Sequence, residues 1–220
     1  MIAVLSFLLS ALVVSFPVNA QVVTPDLGRM LVLTVQPFKT AAEPAHGYLG
    51  ESFSEALTTK LVGLKRIKIY ERAQFHRLAD ELKLERDSAG MFDASSLARA
   101  GSVVSIDYML LGSVTQSGSA IACNVRLVHV NSGQVVLAKE FRGIYPAGLF
   151  GLQDATAVAV AEALSIRLGD LELKRLSSRP TDDIDAYGLF NQSLASASQA
   201  ERVKLRSEER RVGKECRSRW

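Results

Sequence analysis

The sequence predicts an α/β fold: a five-stranded mixed sheet with helices packed on it. Three observations carry this. A strand, a helix and a second strand follow one another between Met30 and Ile69, three β-rich segments separated by glycine-containing turns lie between Asp107 and Gly143, and an alanine-rich apolar helix follows them. Strand-helix-strand in so short a span implies a parallel pair joined by a right-handed crossover, while short glycine turns join antiparallel neighbours.

Met30 to Phe38 (MLVLTVQPF) is a short apolar run closed by Pro37 and reads as a buried strand. Lys39 to His46 reads as a polar loop. From Tyr48 to Leu64, Leu49, Phe53, Ala56, Leu57, Leu61 and Leu64 recur at helical spacing and give one apolar face. Ile67 and Ile69 mark the second strand. A second helix follows with Phe75, Leu78, Ala79 and Leu82 on one side. Asp93 then reads as the N-cap, and Gly101 as the residue past the C-terminus, of a short helix from Ala94 to Ala100.

The antiparallel meander is expected over Asp107 to Thr115, Ser119 to Val130 and Gln134 to Gly143, turning at Ser117-Gly118 and Asn131-Ser132-Gly133. In its middle strand Ile121, Cys123, Val125 and Leu127 alternate with Ala122, Asn124 and Arg126, which places Cys123 in the core. The final helix of the domain is expected from Leu152 to Leu168. A linker follows over residues 171–184, and Asp185-Ala186-Tyr187 opens a further helical region, 185–205.

Both ends differ from this 21–170 domain. Met1 to Ala20 carries no charged side chain, and Val18 and Ala20 occupy the −3 and −1 positions of a signal-peptidase site, so residues 1–20 read as an export signal cleaved before Gln21. The segment has no Lys or Arg before its apolar run, which leaves an uncleaved anchor or a displaced start as alternatives. Arg206 to Trp220 (RSEERRVGKECRSRW) resembles the in-frame translation of a short-read sequencing adapter, and as an artefactual tail it is given no functional weight. It holds 6 of the 26 basic and 3 of the 23 acidic residues, so the whole net charge of +3 resides there and the rest of the chain is neutral. A neutral domain lacks the net basic face that nucleic-acid binding uses to displace counterions, and no nucleic-acid partner is expected. With Cys216 in that tail, Cys123 stands alone and no internal disulfide is expected.

Catalytic motifs are scarce. Neither a G-x-G-x-x-G nor a Walker A sequence occurs, and Gly50-Glu51-Ser52-Phe53-Ser54 misses the second glycine of a hydrolase elbow and sits inside a helix, where Ser52 is expected on the surface. His46, His76 and His129 lack metal-binding spacing. No catalytic residue, metal or cofactor is expected. Function is placed instead on a protein-binding surface: an exposed sheet edge or the loop carrying Lys39, Glu43 and His46. A merely solvated connection is the alternative for that loop.

The wording of these elements resembles the superfamily of CsgG, FlgO and TolB N-terminal-like domains. The resemblance rests on Pro37-Phe38, Leu49-Gly50, Tyr70-Glu71-Arg72, Asp107-Tyr108-Met109-Leu110-Leu111-Gly112-Ser113-Val114, Val125-Arg126-Leu127-Val128 with Gly133, and Leu149-Phe150-Gly151-Leu152-Gln153-Asp154. It implies a non-enzymatic domain of the bacterial envelope that recruits unidentified envelope proteins in secretion or surface-structure assembly. It also implies a periplasmic location with outer-membrane association. Asp107, Tyr108, Gly112 and Gly133 match the family's most regular motifs and read as structural: Gly112 for close backbone packing, Tyr108 for filling between sheet and helix. Two departures stand out. No cysteine lies near residue 20 to form a lipobox, and the short turns leave no room for the hairpins of a transmembrane barrel. The resemblance also offers an alternative, a cytoplasmic regulatory domain preceding tetratricopeptide repeats, which Asp185 to Phe190 would open.

Overall fold

The computed structural model describes residues 29–81, 105–179, 181, 183–196 and 198–217. The signal segment and the helix expected over 94–100 lie outside them. The elements in chain order are β1 (Leu31–Val35), β2 (Lys39–Ala41), a 3-10 turn (Pro44–His46), α1 (Leu49–Val62), β3 (Ile67–Ile69), α2 (Arg72–Glu81), β4 (Tyr108–Ser117), β5 (Ala120–His129), β6 (Val135–Ile144), α3 (Leu149–Ala163), α4 (Asp170–Leu176), α5 (Ile184–Ala195) and α6 (Gln199–Arg217).

The fold is α/β with a mixed sheet ordered β3-β1-β4-β5-β6, and β2 adds a sixth strand beside β4. β1 runs parallel to both β3 and β4, and β4, β5 and β6 form the antiparallel meander. The two turns of the meander place Gly118 and Gly133 at φ +55° and +68°, the left-handed region that glycine enters without a Cβ penalty. Period-two alternation splits the strands between two cores. Leu31, Leu33, Val35, Leu110, Val114, Cys123, Val125 and Leu127 pack beneath α1 and α3, while Met109, Val128 and Val130 face the other way against Phe75 of α2 and Ile106. Cys123 is fully buried, as its alternation requires.

One expected loop proves to be strand. β1 and β2 lie along the same edge of β4, with Val35 opposite Leu110 and Lys39 opposite Ser113. Gln36, Pro37 and Phe38 therefore span the two β4 positions Leu111 and Gly112, an excess of one residue that makes the connection a β-bulge. Proline is tolerated at a bulge because its missing N–H breaks no ladder bond there. Phe38 turns inward, stacks on Phe53 with ring centroids 5.7 Å apart, and lies directly over Gly112. A Cβ on Gly112 would collide with the Phe38 ring and come within 2.7 Å of the Asn124 carbonyl. α1 starts against the same bulge: Gly50 N–H donates to Thr40 Oγ1 at 2.9 Å, and a Cβ at Gly50 would strike the Phe38 carbonyl.

The C-terminal helices are shifted from expectation. α3 starts three residues before Leu152 and ends at Ala163, where Leu164 caps it and Ser165 takes φ +55°. The stretch read as linker carries α4, whose Leu176 reaches the main core. α5 docks through Tyr187, which is buried against Phe150 with ring centroids 5.0 Å apart. Asp183 caps α5 by accepting from the N–H groups of Asp185 and Ala186. α6 continues through the adapter-like residues to Arg217; it leaves Val203 exposed and sets Arg206 over the Phe190 ring of α5.

Two outcomes test this packing. Gly112→Ala should destabilise the chain by about 1–3 kcal/mol through overpacking. Combined with Phe38→Leu it should cost less than the sum of the single changes, as measured by urea denaturation. A chain of residues 21–175, which lacks Leu176 and Tyr187, should be less stable than one of 21–196 by about 3–5 kcal/mol, the usual cost of removing large buried side chains.

Candidate interaction surface

The end of the sheet where β2 meets the β4–β5 turn is held by a chain of polar and aromatic contacts. His46 Nδ1–H donates to Gln116 Oε1 at 3.0 Å, and Gln116 Nε2 donates to the Gly118 carbonyl at 2.7 Å. An amide oxygen can only accept, so Nδ1 is the donor in this contact. Its ring meets Tyr145 edge-on, with centroids 4.8 Å apart. The hydroxyls of Tyr145 and Tyr48 are 3.0 Å apart, and burial, reinforced by Tyr145, pushes the Tyr48 hydroxyl far above its ordinary pKa. Glu43 Oε1 accepts from Gly118 N–H at 3.2 Å.

Of the three loop residues, Glu43 and His46 are therefore brought together at this end and tied to a turn some seventy positions away in sequence. Lys39 stands apart, exposed on β2 at the rim of a 620 Å³ concavity on the outer sheet face that Asn124, Arg126, Lys139 and Glu140 also line. The sequence assigns Tyr48, Gln116 and Tyr145 no role. Their partners are far away in sequence, so no local spacing could reveal them.

The motif residues hold the sheet together. Asp107 is buried where β1, β4 and β5 converge. Its carboxylate accepts from Val32 N–H at 2.8 Å and pairs with Arg29, its N–H donates to the Val32 carbonyl, and its own carbonyl accepts from Val130 N–H. Tyr108 is buried beside His129, ring centroids 5.3 Å apart, and burial followed by the Asp107 charge raises its hydroxyl pKa.

A second concavity, 830 Å³, lies on the helical side between α1, α3, α4 and α5, rimmed by Glu51, Glu55, Arg175 and Arg179. At its floor Ser52 is buried, contrary to its expected surface position, with its hydroxyl 3.0 Å from Tyr187 Oη. Gln153 Nε2 donates to the same Tyr187 oxygen at 3.4 Å. Lys60 donates to the carbonyls of Leu176 and Ser178. It also lies 2.7 Å from Asp154 Oδ1, a charge contact without the angle of a good hydrogen bond. These groups are already spent on one another, so the floor of this groove is a structural clasp between α1, α3 and the C-terminal helices.

A family model for LpoB, described as a peptidoglycan-synthase activator, matches residues 14–140, more than half of the chain. The chain belongs to the LpoB family. Similar solved structures include the LpoB C-terminal domain from Salmonella enterica, at 19% identity and TM-score 0.42 over 52% of this chain and 83% of that one. The LpoB C-terminal domain from Escherichia coli gives 16% identity and TM-score 0.43, with 55% and 87% covered. TolB from Acinetobacter baumannii gives 14% and 0.46, with 66% and 30% covered. No curated protein sequence matches significantly. The envelope-protein resemblance read from the sequence thus resolves to LpoB and not specifically to CsgG or FlgO.

Burial pushes the Cys123 thiol from 9.0 up to about 12, partly offset by a hydrogen bond with Thr156. At pH 8 the folded chain should leave Cys123 unalkylated while denatured chain reacts, read by peptide mass spectrometry. Because the folded pKa is the higher, the neutral thiol supports the fold below pH 9 and that support is lost as pH rises from 9 towards 12. Cys123→Ala should flatten the fall of stability over that window.

Proposed function

We propose that this chain is a non-enzymatic accessory protein of the bacterial envelope that binds a peptidoglycan synthase in the periplasm and raises its activity. The observation that carries this is the match of residues 14–140 to the LpoB activator family. The uncharged apolar segment before Gln21 supports export, and association with the outer membrane belongs to the same reading. The alternative of a cytoplasmic regulator preceding tetratricopeptide repeats gains no support from the family match.

An activator needs a surface its partner can read and no chemistry of its own. The sheet end that carries Glu43 and His46 offers charged and aromatic groups held in place by the β4–β5 turn and Tyr145, with Lys39 at the start of β2, on the rim of the outer-face concavity. Preorganised loop residues lose little entropy on binding, which suits a docking site. We place the synthase contact there.

Full-length chain titrated against the peptidoglycan synthase of its host should bind saturably and raise the rate of glycan polymerisation. Replacing Lys39, Glu43 and His46 together with Ala should weaken binding about tenfold, equivalent to roughly 1.4 kcal/mol. Unchanged affinity in that variant would move the contact elsewhere. Absence of both binding and rate increase would overturn the activator reading.

A further inference from the structure

β6 takes β5 on one side, and among the described residues no strand takes its other side. Ten residues make a long edge, and long edges are templates for pairing with another chain unless something blunts them. Here the middle of the strand reads Lys139-Glu140-Phe141-Arg142.

The phase of the ladder tells which backbone groups are free. Tyr145 N–H donates to the Ser119 carbonyl at 2.8 Å, one step beyond the Ala120–Ile144 pair. Antiparallel ladders alternate between bonded and non-bonded pairs, so the odd-numbered residues back to Leu137 turn their N–H and C=O towards β5. Ala138, Glu140, Arg142 and Ile144 turn theirs outward. The irregularity of this pair lies at Leu127/Val128, beyond that stretch.

We propose that two copies of this chain pair antiparallel through β6 about a two-fold axis at Phe141. In that register Ala138 faces the second copy's Ile144, and Glu140 faces the second copy's Arg142, in both directions. The four outward residues are then matched with one another completely, each N–H and C=O finding its counterpart. Within one chain Arg142 already donates to Glu140, Nε to Oε1 at 2.8 Å and Nη2 to Oε2 at 3.2 Å. Two such pairs facing each other interleave as a square of alternating charge. An axis at Lys139, Glu140 or Arg142 would set that residue against its own copy, and like charges directly opposite are destabilising. Phe141 is the one position among these four that avoids this. The pairing also gives Ile144, 71% exposed at the strand end, an apolar neighbour.

Dimerisation through β6 needs no synthase and is measured without one. Sedimentation velocity of the full-length chain, with reductant to keep Cys216 from cross-linking, should show a concentration-dependent monomer–dimer equilibrium that weakens with added salt. Glu140→Arg and Arg142→Glu should each weaken the dimer by about tenfold, since symmetry doubles every lost pair. The double reversal Glu140→Arg/Arg142→Glu should restore it. Ala138→Pro, which removes an outward N–H at an edge where proline is tolerated, should weaken it with no change of charge. A monomer at every concentration would overturn the proposal. So would a dimer indifferent to Ala138→Pro and to both single reversals, or one that the double reversal fails to restore.

Discussion

The bulge at Gln36-Pro37-Phe38, seated on Gly112, is the constraint on which the rest of the fold depends. It lets one chain segment serve β4 twice, as β1 before the bulge and as β2 after it, with the register displaced by one residue between them. The extra residue drives Phe38 into the core, where it stacks on Phe53 of α1 and fills the space that a side chain at position 112 would take. Glycine at 112 is thus required by a ring lying on it, a steric demand that substitution by even a methyl group violates. Because α1 begins against the same bulge through Gly50 and Thr40, the first helix, the first parallel strands and the centre of the meander share one point of attachment.

That attachment gives the two sides of the sheet different fates. Beyond β1, the long edge of β4 is taken up by β2, and the turn after β2 is tied to the β4–β5 turn through Glu43, His46 and Gln116. Those residues are held in a defined arrangement, as a docking surface requires. Among the described residues no strand covers the opposite edge, β6, and charged side chains line its middle.

Much of the fold was legible in the sequence because it rests on periodicity. The alternation through Ile121, Cys123, Val125 and Leu127 identified β5 and its inward face, and the helical spacing from Leu49 to Leu64 identified α1. β2 was not legible: Lys39-Thr40-Ala41 is short, follows a proline and has no apolar alternation, and it is a strand only because β4 offers unpaired backbone groups beside it. Lys60 and Ser52 were legible in principle. Lys60 falls eleven residues, three helical turns, after Leu49, and Ser52 borders the same arc, so both lie on the buried side of α1. Ser52 was expected on the surface, whereas the structure supplies both residues with partners in Asp154, Leu176 and Tyr187. Of the candidate interaction surface, the sequence indicated Lys39, Glu43 and His46 but read them as a flexible loop, because Gln116, Gly118 and Tyr145 come to them only through the sheet.

The register of the bulge can be read by NMR on labelled chain from through-space contacts across β1, β2 and β4. Val35 should lie beside Leu110 and Lys39 beside Ser113, and the Phe38 ring protons should contact the α-protons of Gly112. An unbroken register with Lys39 beside Val114, or a Phe38 ring far from Gly112, would contradict this arrangement of the bulge.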